Sequence, residues 1–232
     1  MQLGNLLFYF LYLMLCRYYC TGGAKSSTPN DSTGSECPAG YYCPEGSTEP
    51  TACPPGTFTD TRGLTGGSGS ECTECLSGYF CPLRGATSND LRLSSSDFKC
   101  YPGFICTGGA MIPNPMVEAT DGGTICDEGY YCPEGSQSQE MCDDGYYNPY
   151  KGQGSCIICH PGKYCPYDPL DPNSGAQPIT AFVDCPAGSY CEEEASEPVP
   201  CPAGTYSPFE NLESEEECID CPPGMLITKN SK

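Results

Sequence analysis

The sequence has no tryptophan, a single histidine and, in 232 residues, only 33 Leu, Ile, Val and Phe together. Burial of so few aliphatics cannot offset backbone ordering of roughly 1–2 kcal/mol per residue, which excludes one large globule built on an apolar core. With His160 as the only imidazole and no Gly-x-Ser-x-Gly turn, histidine-assisted nucleophilic hydrolysis has no candidate machinery. Basic residues are scarce as well: 10 Lys and Arg stand against 30 Asp and Glu, and the net charge of −20 opposes binding to nucleic acid or anionic headgroups. No two of the carboxylates fall on an evident rigid cleft, and the runs Glu192-Glu193-Glu194 and Glu215-Glu216-Glu217 read as solvated faces. Past the first residues no helical period is sustained, and 52 Pro and Gly spread through the chain exclude long helices.

What the chain has instead is cysteine, 21 residues, in the range of a disulfide scaffold in an oxidising compartment. The motif Cys201-Pro202-Ala203-Gly204-Thr205-Tyr206 recurs as Cys53-Pro54-Pro55-Gly56-Thr57-Phe58 and Cys37-Pro38-Ala39-Gly40-Tyr41-Tyr42. Heads of this kind, Cys-x-x-Gly followed by an aromatic, begin at Cys37, Cys53, Cys75, Cys100, Cys126, Cys142, Cys159, Cys185 and Cys201; a tenth, at Cys221, lacks the aromatic. Each joins a half-cystine, a glycine turn and a ring able to cover a disulfide, which assigns the head tyrosines (Tyr41, Tyr42, Tyr79, Tyr130, Tyr131, Tyr146, Tyr164, Tyr190 and Tyr206) a structural role.

Three blocks share one spacing: Cys37, Cys43, Cys53, Cys72 and Cys75; Cys126, Cys132, Cys142, Cys156 and Cys159; Cys185, Cys191, Cys201, Cys218 and Cys221. Within each block only the third gap varies, from 13 to 18 residues, as a hairpin loop tolerates and a fixed backbone path does not. The fold class expected is small and disulfide-rich, an elongated array of short β-hairpin repeats preceded by a helical signal segment. Residues 1–24 read as that signal, on the uncharged apolar run Leu3 to Leu15 and the small residues Gly22 and Ala24. Residues 25–36 read as a flexible linker carrying the sequon Asn30-Asp31-Ser32, so Asn30 is the candidate glycosylation site. Repeat blocks follow at 37–125, 126–184 and 185–232, the last truncated.

Closing a short ribbon between a head and the following Cys-x-x-Cys suggests the pairs Cys53–Cys72, Cys142–Cys156 and Cys201–Cys218. Bridging Cys72 to Cys75 across two residues is the strained alternative. For the five-residue spacings two schemes are open. Each head closes on itself, as Cys37 with Cys43 and Cys126 with Cys132, or neighbours cross, as Cys75 with Cys100 and Cys81 with Cys106. Removal of the leader leaves an odd cysteine, and the step that reaches Cys81 from Cys75 and Cys165 from Cys159 lands from Cys221 on Ile227. Cys221 is therefore expected to lack an intramolecular partner, which makes it the point for disulfide-linked assembly.

The run Cys201-Pro202-Ala203-Gly204-Thr205-Tyr206-Ser207 followed by Cys218-x-x-Cys221-Pro222-Pro223-Gly224 resembles the ephrin-receptor-like repeat of the growth-factor-receptor cysteine-rich superfamily, and is similar to tumour necrosis factor receptor modules. The resemblance implies the three long pairs above and a crossed pairing of the next four cysteines. It also implies a non-enzymatic extracellular or cell-surface scaffold, a spacer or an adhesive surface for a protein or glycan ligand, with a receptor ectodomain or a secreted coat protein as alternatives. No cofactor is expected. Cys156-Ile157-Ile158-Cys159-His160 matches a haem-attachment pattern, but the equivalent positions Leu76 and Pro222 show that His160 fills a variable slot. Zinc at the Cys-x-x-Cys pairs is opposed by export, and thiol oxidoreduction lacks a thioredoxin-like context. No membrane span is expected beyond the leader.

Overall fold

A head glycine reverses the chain, and the residues after it lie extended before the next cysteine fixes the path; among the described residues eight two-stranded antiparallel hairpins arise this way, and a ninth lies ahead of them. The computed structural model describes residues 17–64, 71–91, 97–166 and 179–223. Its packing divides into two units, one running to residue 125 and including 134–138, the other holding 126–133 and the chain from 139.

In the first unit β1 (Tyr18–Cys20) pairs with β2 (Gly34–Glu36), β3 (Tyr41–Tyr42) with β4 (Thr51–Ala52), β5 (Thr57–Phe58) with β6 (Thr73–Glu74), and β7 (Phe104–Cys106) with β8 (Gly123–Ile125). A four-residue helix, α1 (Glu118–Asp121), lies between the last two strands. In the second unit β9 (Tyr130–Tyr131) pairs with β10 (Glu140–Met141), β11 (Tyr146–Tyr147) with β12 (Ile157–Ile158), and β13 (Lys163–Tyr164) with β14 (Val183–Asp184). β15 (Ser189–Tyr190) then pairs with β16 (Val199–Pro200), and β17 (Thr205–Tyr206) with β18 (Ile219–Asp220). From β3 onward the rule is uniform: the two residues after a head glycine pair with the residues just before the next head cysteine.

The N-terminal region differs from expectation. Residues 1–16 of the expected helical leader fall outside the described residues; within the rest of it Tyr18–Cys20 is a strand, and β1 and β2 join residues read as leader and linker into one hairpin. The repeat register explains this. The amide of Cys37 donates to the Arg17 carbonyl, as those of Cys53 and Cys75 donate to Gly40 and Gly56 of the preceding heads. Arg17 thus occupies a head-glycine position and Cys20 the closing-cysteine position, a head hidden in the sequence because Met14 stands where its first cysteine would be.

The described core is mainly disulfide, with rings and a few aliphatic side chains such as Leu91, Ile105, Ile179 and Leu212 beside it. Phe58 and Tyr79 pack with the Cys75 and Cys81 sulfurs, Phe80 against Cys100 and Cys106, and Tyr147 against Cys159 and Cys165. Phe58, Phe80 and Tyr147 therefore each cover the disulfide of the next head, and Tyr79 covers that of its own. Among the described residues three polar ones are buried, Thr59, Asn148 and Ser207, each three positions past a head glycine in the long-loop heads. The Asn148 amide donates to the carbonyls of Tyr130 (2.8 Å) and Ser155 (3.3 Å), tying one head to the loop of the next. Asn148→Ala leaves both carbonyls without that donor and is expected to lower local stability by about 1–3 kcal/mol. Faster hydrogen exchange at Gly129, whose amide donates to the Asn148 backbone carbonyl, is the readout; unchanged exchange there would contradict it.

Candidate functional site

The residues that the sequence singles out are cysteines, and the structure commits most of them to disulfides. Cys53 is bonded to Cys72, Cys142 to Cys156 and Cys201 to Cys218. Every described five-residue pair closes on itself: Cys37 with Cys43, Cys75 with Cys81, Cys100 with Cys106, Cys126 with Cys132, Cys159 with Cys165 and Cys185 with Cys191. The crossed pairing implied by the receptor resemblance is corrected here. The glycine turn and the strand after it bring the sixth residue back to a Cα separation of 5.8–6.2 Å, within disulfide range, before any neighbouring head is reached.

Cys20 and Cys221 carry no disulfide, and both are half-buried. They are complementary halves of the repeat: Cys20 holds a closing position, and Cys221 opens a head. The Cys20 amide donates to Ser47 as the Cys106 amide donates to Ser136, and the Cys221 amide donates to Gly204 as that of Cys159 donates to Gly145. The sequence signals Cys221 through its interrupted spacing; for Cys20 only the Tyr18-Tyr19 pair before it hints at a head.

In each Cys-x-x-Cys an extended strand, β6, β12 or β18, separates the two sulfurs. Cys156 and Cys159 are each bonded elsewhere, so neither thiol is available for a thioether to haem, and His160 is exposed. Among the described residues no group of three or more His, Cys, Asp or Glu is placed to hold a metal ion. Glu215–Glu217 form one exposed 3₁₀ turn. Asn30 is exposed at the tip of the β1–β2 hairpin, where the Asp31 carboxylate accepts from the Thr33 amide and hydroxyl.

An open depression of about 250 Å³ lies between Tyr131, Asp143, Tyr146, Ser155 and Cys156. The Tyr146 hydroxyl donates to Glu194, and this bond, with burial and the charges of Glu194, Glu193 and Asp143, raises its pKa. A phenol held protonated beside carboxylates is a hydrogen-bond anchor and no base. Glu194 itself has a φ of 64°, and its amide donates to the Cys159 carbonyl where Gly85, Gly109 and Gly135 make the same bond to other heads. This clasp between the turn of one head and the glycine of another has no sequence signal. Among the described residues no helix is long and apolar enough to cross a membrane.

No family model matches the chain. A 54-residue stretch, 23 % of the chain, is 37 % identical to part of the mouse protein named endosome/lysosome-associated apoptosis and autophagy regulator family member 2. The match covers 5 % of that relative's length.

Proposed function

We propose that this chain is an exported, non-enzymatic cysteine-rich repeat protein of the cell surface or extracellular space, acting as a spacer and as a scaffold for an adhesive or ligand-binding surface. The observation that carries this reading is that the described fold rests on nine disulfides in place of an aliphatic core. Such cross-links persist in an oxidising compartment and are kept reduced in the cytosol. The likeness to ephrin-receptor-like and tumour necrosis factor receptor modules belongs to this reading. A receptor ectodomain or a secreted coat protein is the same scaffold in a different setting, and the free thiol of Cys221 supports the second through disulfide-linked assembly. Asn30, accessible at its hairpin tip, is the glycosylation site.

Cleavage after Ala24 would strip β1 from β2 and leave the Cys37 amide without the Arg17 carbonyl, so the leader reading fits the fold better with cleavage ahead of Arg17. Expression of the full chain in a secreting eukaryotic host tests both parts. The expected result is protein in the medium carrying a glycan on Asn30 and nine protected disulfides. Alkylation without reduction labels Cys20 as well as Cys221 if β1 is kept, and Cys221 without Cys20 if cleavage follows Ala24. A chain that folds equally well with all its thiols reduced would overturn the proposal.

A further inference from the structure

The connection between β7 and β8 is longer than the hairpin requires. The Cys81 amide donates to the Ala110 carbonyl, the bond that Ser47 receives from Cys20 and Ala195 from Cys165. From Ser47 or Ala195 the next head cysteine follows after five residues; from Ala110 it follows after fifteen. The extra ten include Met111, Ile112, Met116 and Val117, which are 37 %, 42 %, 55 % and 53 % exposed, and beside them Tyr101 is 56 % exposed.

This apolar loop is pinned. Tyr101 donates its amide to the Pro113 carbonyl (2.9 Å). Pro115 is fully buried, its ring under Gly123, where an added Cβ would overlap it. The Asp121 carboxylate accepts the amides of Met116 (3.1 Å) and Val117 (3.2 Å), and these bonds lower its pKa and keep it charged. A rigid connection that exposes its methionines, isoleucine and valine, and that the hairpin itself does not need, has the character of a preorganised contact surface. Its rim is acidic, Glu118 and Asp121 within a chain of net charge −20. A second copy would bring the same rim, and an anionic bilayer the same sign, so both are repelled.

We propose that the loop from Met111 to Val117 docks a partner protein whose apolar surface is rimmed by lysine and arginine. The proposal deepens the scaffold reading and rests on it; failure here would leave the disulfide map unchanged, whereas failure of the scaffold reading would show in that map. The test uses the full oxidised chain against a synthetic amphipathic peptide of leucine and lysine and its leucine and glutamate counterpart. The triple variant Ile112→Ser, Met116→Ser, Val117→Ser retains every charge and should weaken lysine-peptide binding at least about tenfold. Glu118→Lys leaves the apolar face intact and should weaken it less, with a shallower salt dependence. An intact Cys100–Cys106 bond verifies folding of both variants. Equal lysine-peptide affinity of the triple variant would reduce the binding to net charge and overturn the proposal. So would equally tight binding of the glutamate peptide. Self-association of the native chain, or its binding to neutral vesicles, abolished in the triple variant would assign the loop to a second copy or to lipid instead.

Discussion

Replacing Cys53 and Cys72 together by serine is expected to lower the stability of the first unit by about 3 kcal/mol while the unit that begins at Cys126 stays folded. The bond closes a separation of 19 residues, for which chain-entropy arguments give about 3.3 kcal/mol, against about 2.4 kcal/mol for the six-residue separation of Cys75–Cys81. Both sulfurs are buried, so two hydroxyls take their place in a region whose described apolar neighbours are few. The double substitution avoids a stray thiol that could exchange with other disulfides. Limited proteolysis with mass mapping is the measurement: cuts should gather between β5 and β6 and spare residues 139–166. Collapse of both units together would reveal a shared core and would contradict the division of the fold.

The cysteine spacing made much of this architecture legible. The pairs Cys53–Cys72, Cys142–Cys156 and Cys201–Cys218 are the ones that their loops suggest, and Gly56-Thr57-Phe58 and Gly204-Thr205-Tyr206 do lead into strands paired across those loops. Self-closure of the five-residue pairs was not legible, because both schemes use the same spacing and only the backbone path after the glycine separates them. The hairpin of Tyr18–Cys20 with Gly34–Glu36 was hidden for a different reason. Its head lacks the first cysteine and the glycine, the two residues by which heads are found, while the apolar run before it carries a stronger and competing signal.

The clasps were hidden because they join residues far apart in sequence. Gly40 meets the backbone of Gly85, Gly56 that of Gly109, and Gly145 that of Glu194. Each of these three head glycines therefore serves twice, setting its own turn and admitting a turn from further along the chain. The disulfides restrict the unfolded state, and the clasps give the folded state its fixed packing; neither function asks for many aliphatic residues.

Gly145 and Gly188 separate these two duties in one unit. Both head glycines lie in the left-handed region, at φ of 81° and 85°, so alanine at either carries a similar backbone cost of roughly 1–2 kcal/mol. What the new methyl meets differs. At Gly188 nothing lies within 4 Å, whereas at Gly145 it would collide with the Glu194 backbone carbonyl. That carbonyl cannot swing aside freely, because the Glu194 amide is bonded to Cys159 and its side chain receives the Tyr146 hydroxyl. Overpacking of this kind costs about a further 1–3 kcal/mol. Gly145→Ala is therefore expected to destabilise by about 2–5 kcal/mol, and Gly188→Ala by the backbone cost alone. Hydrogen exchange at Cys159 and Glu194 is the discriminating readout. Gly145→Ala should expose both amides, and Gly188→Ala should leave them protected. Equal effects of the two substitutions would mean that the turn alone matters and that the contact with Glu194 contributes nothing.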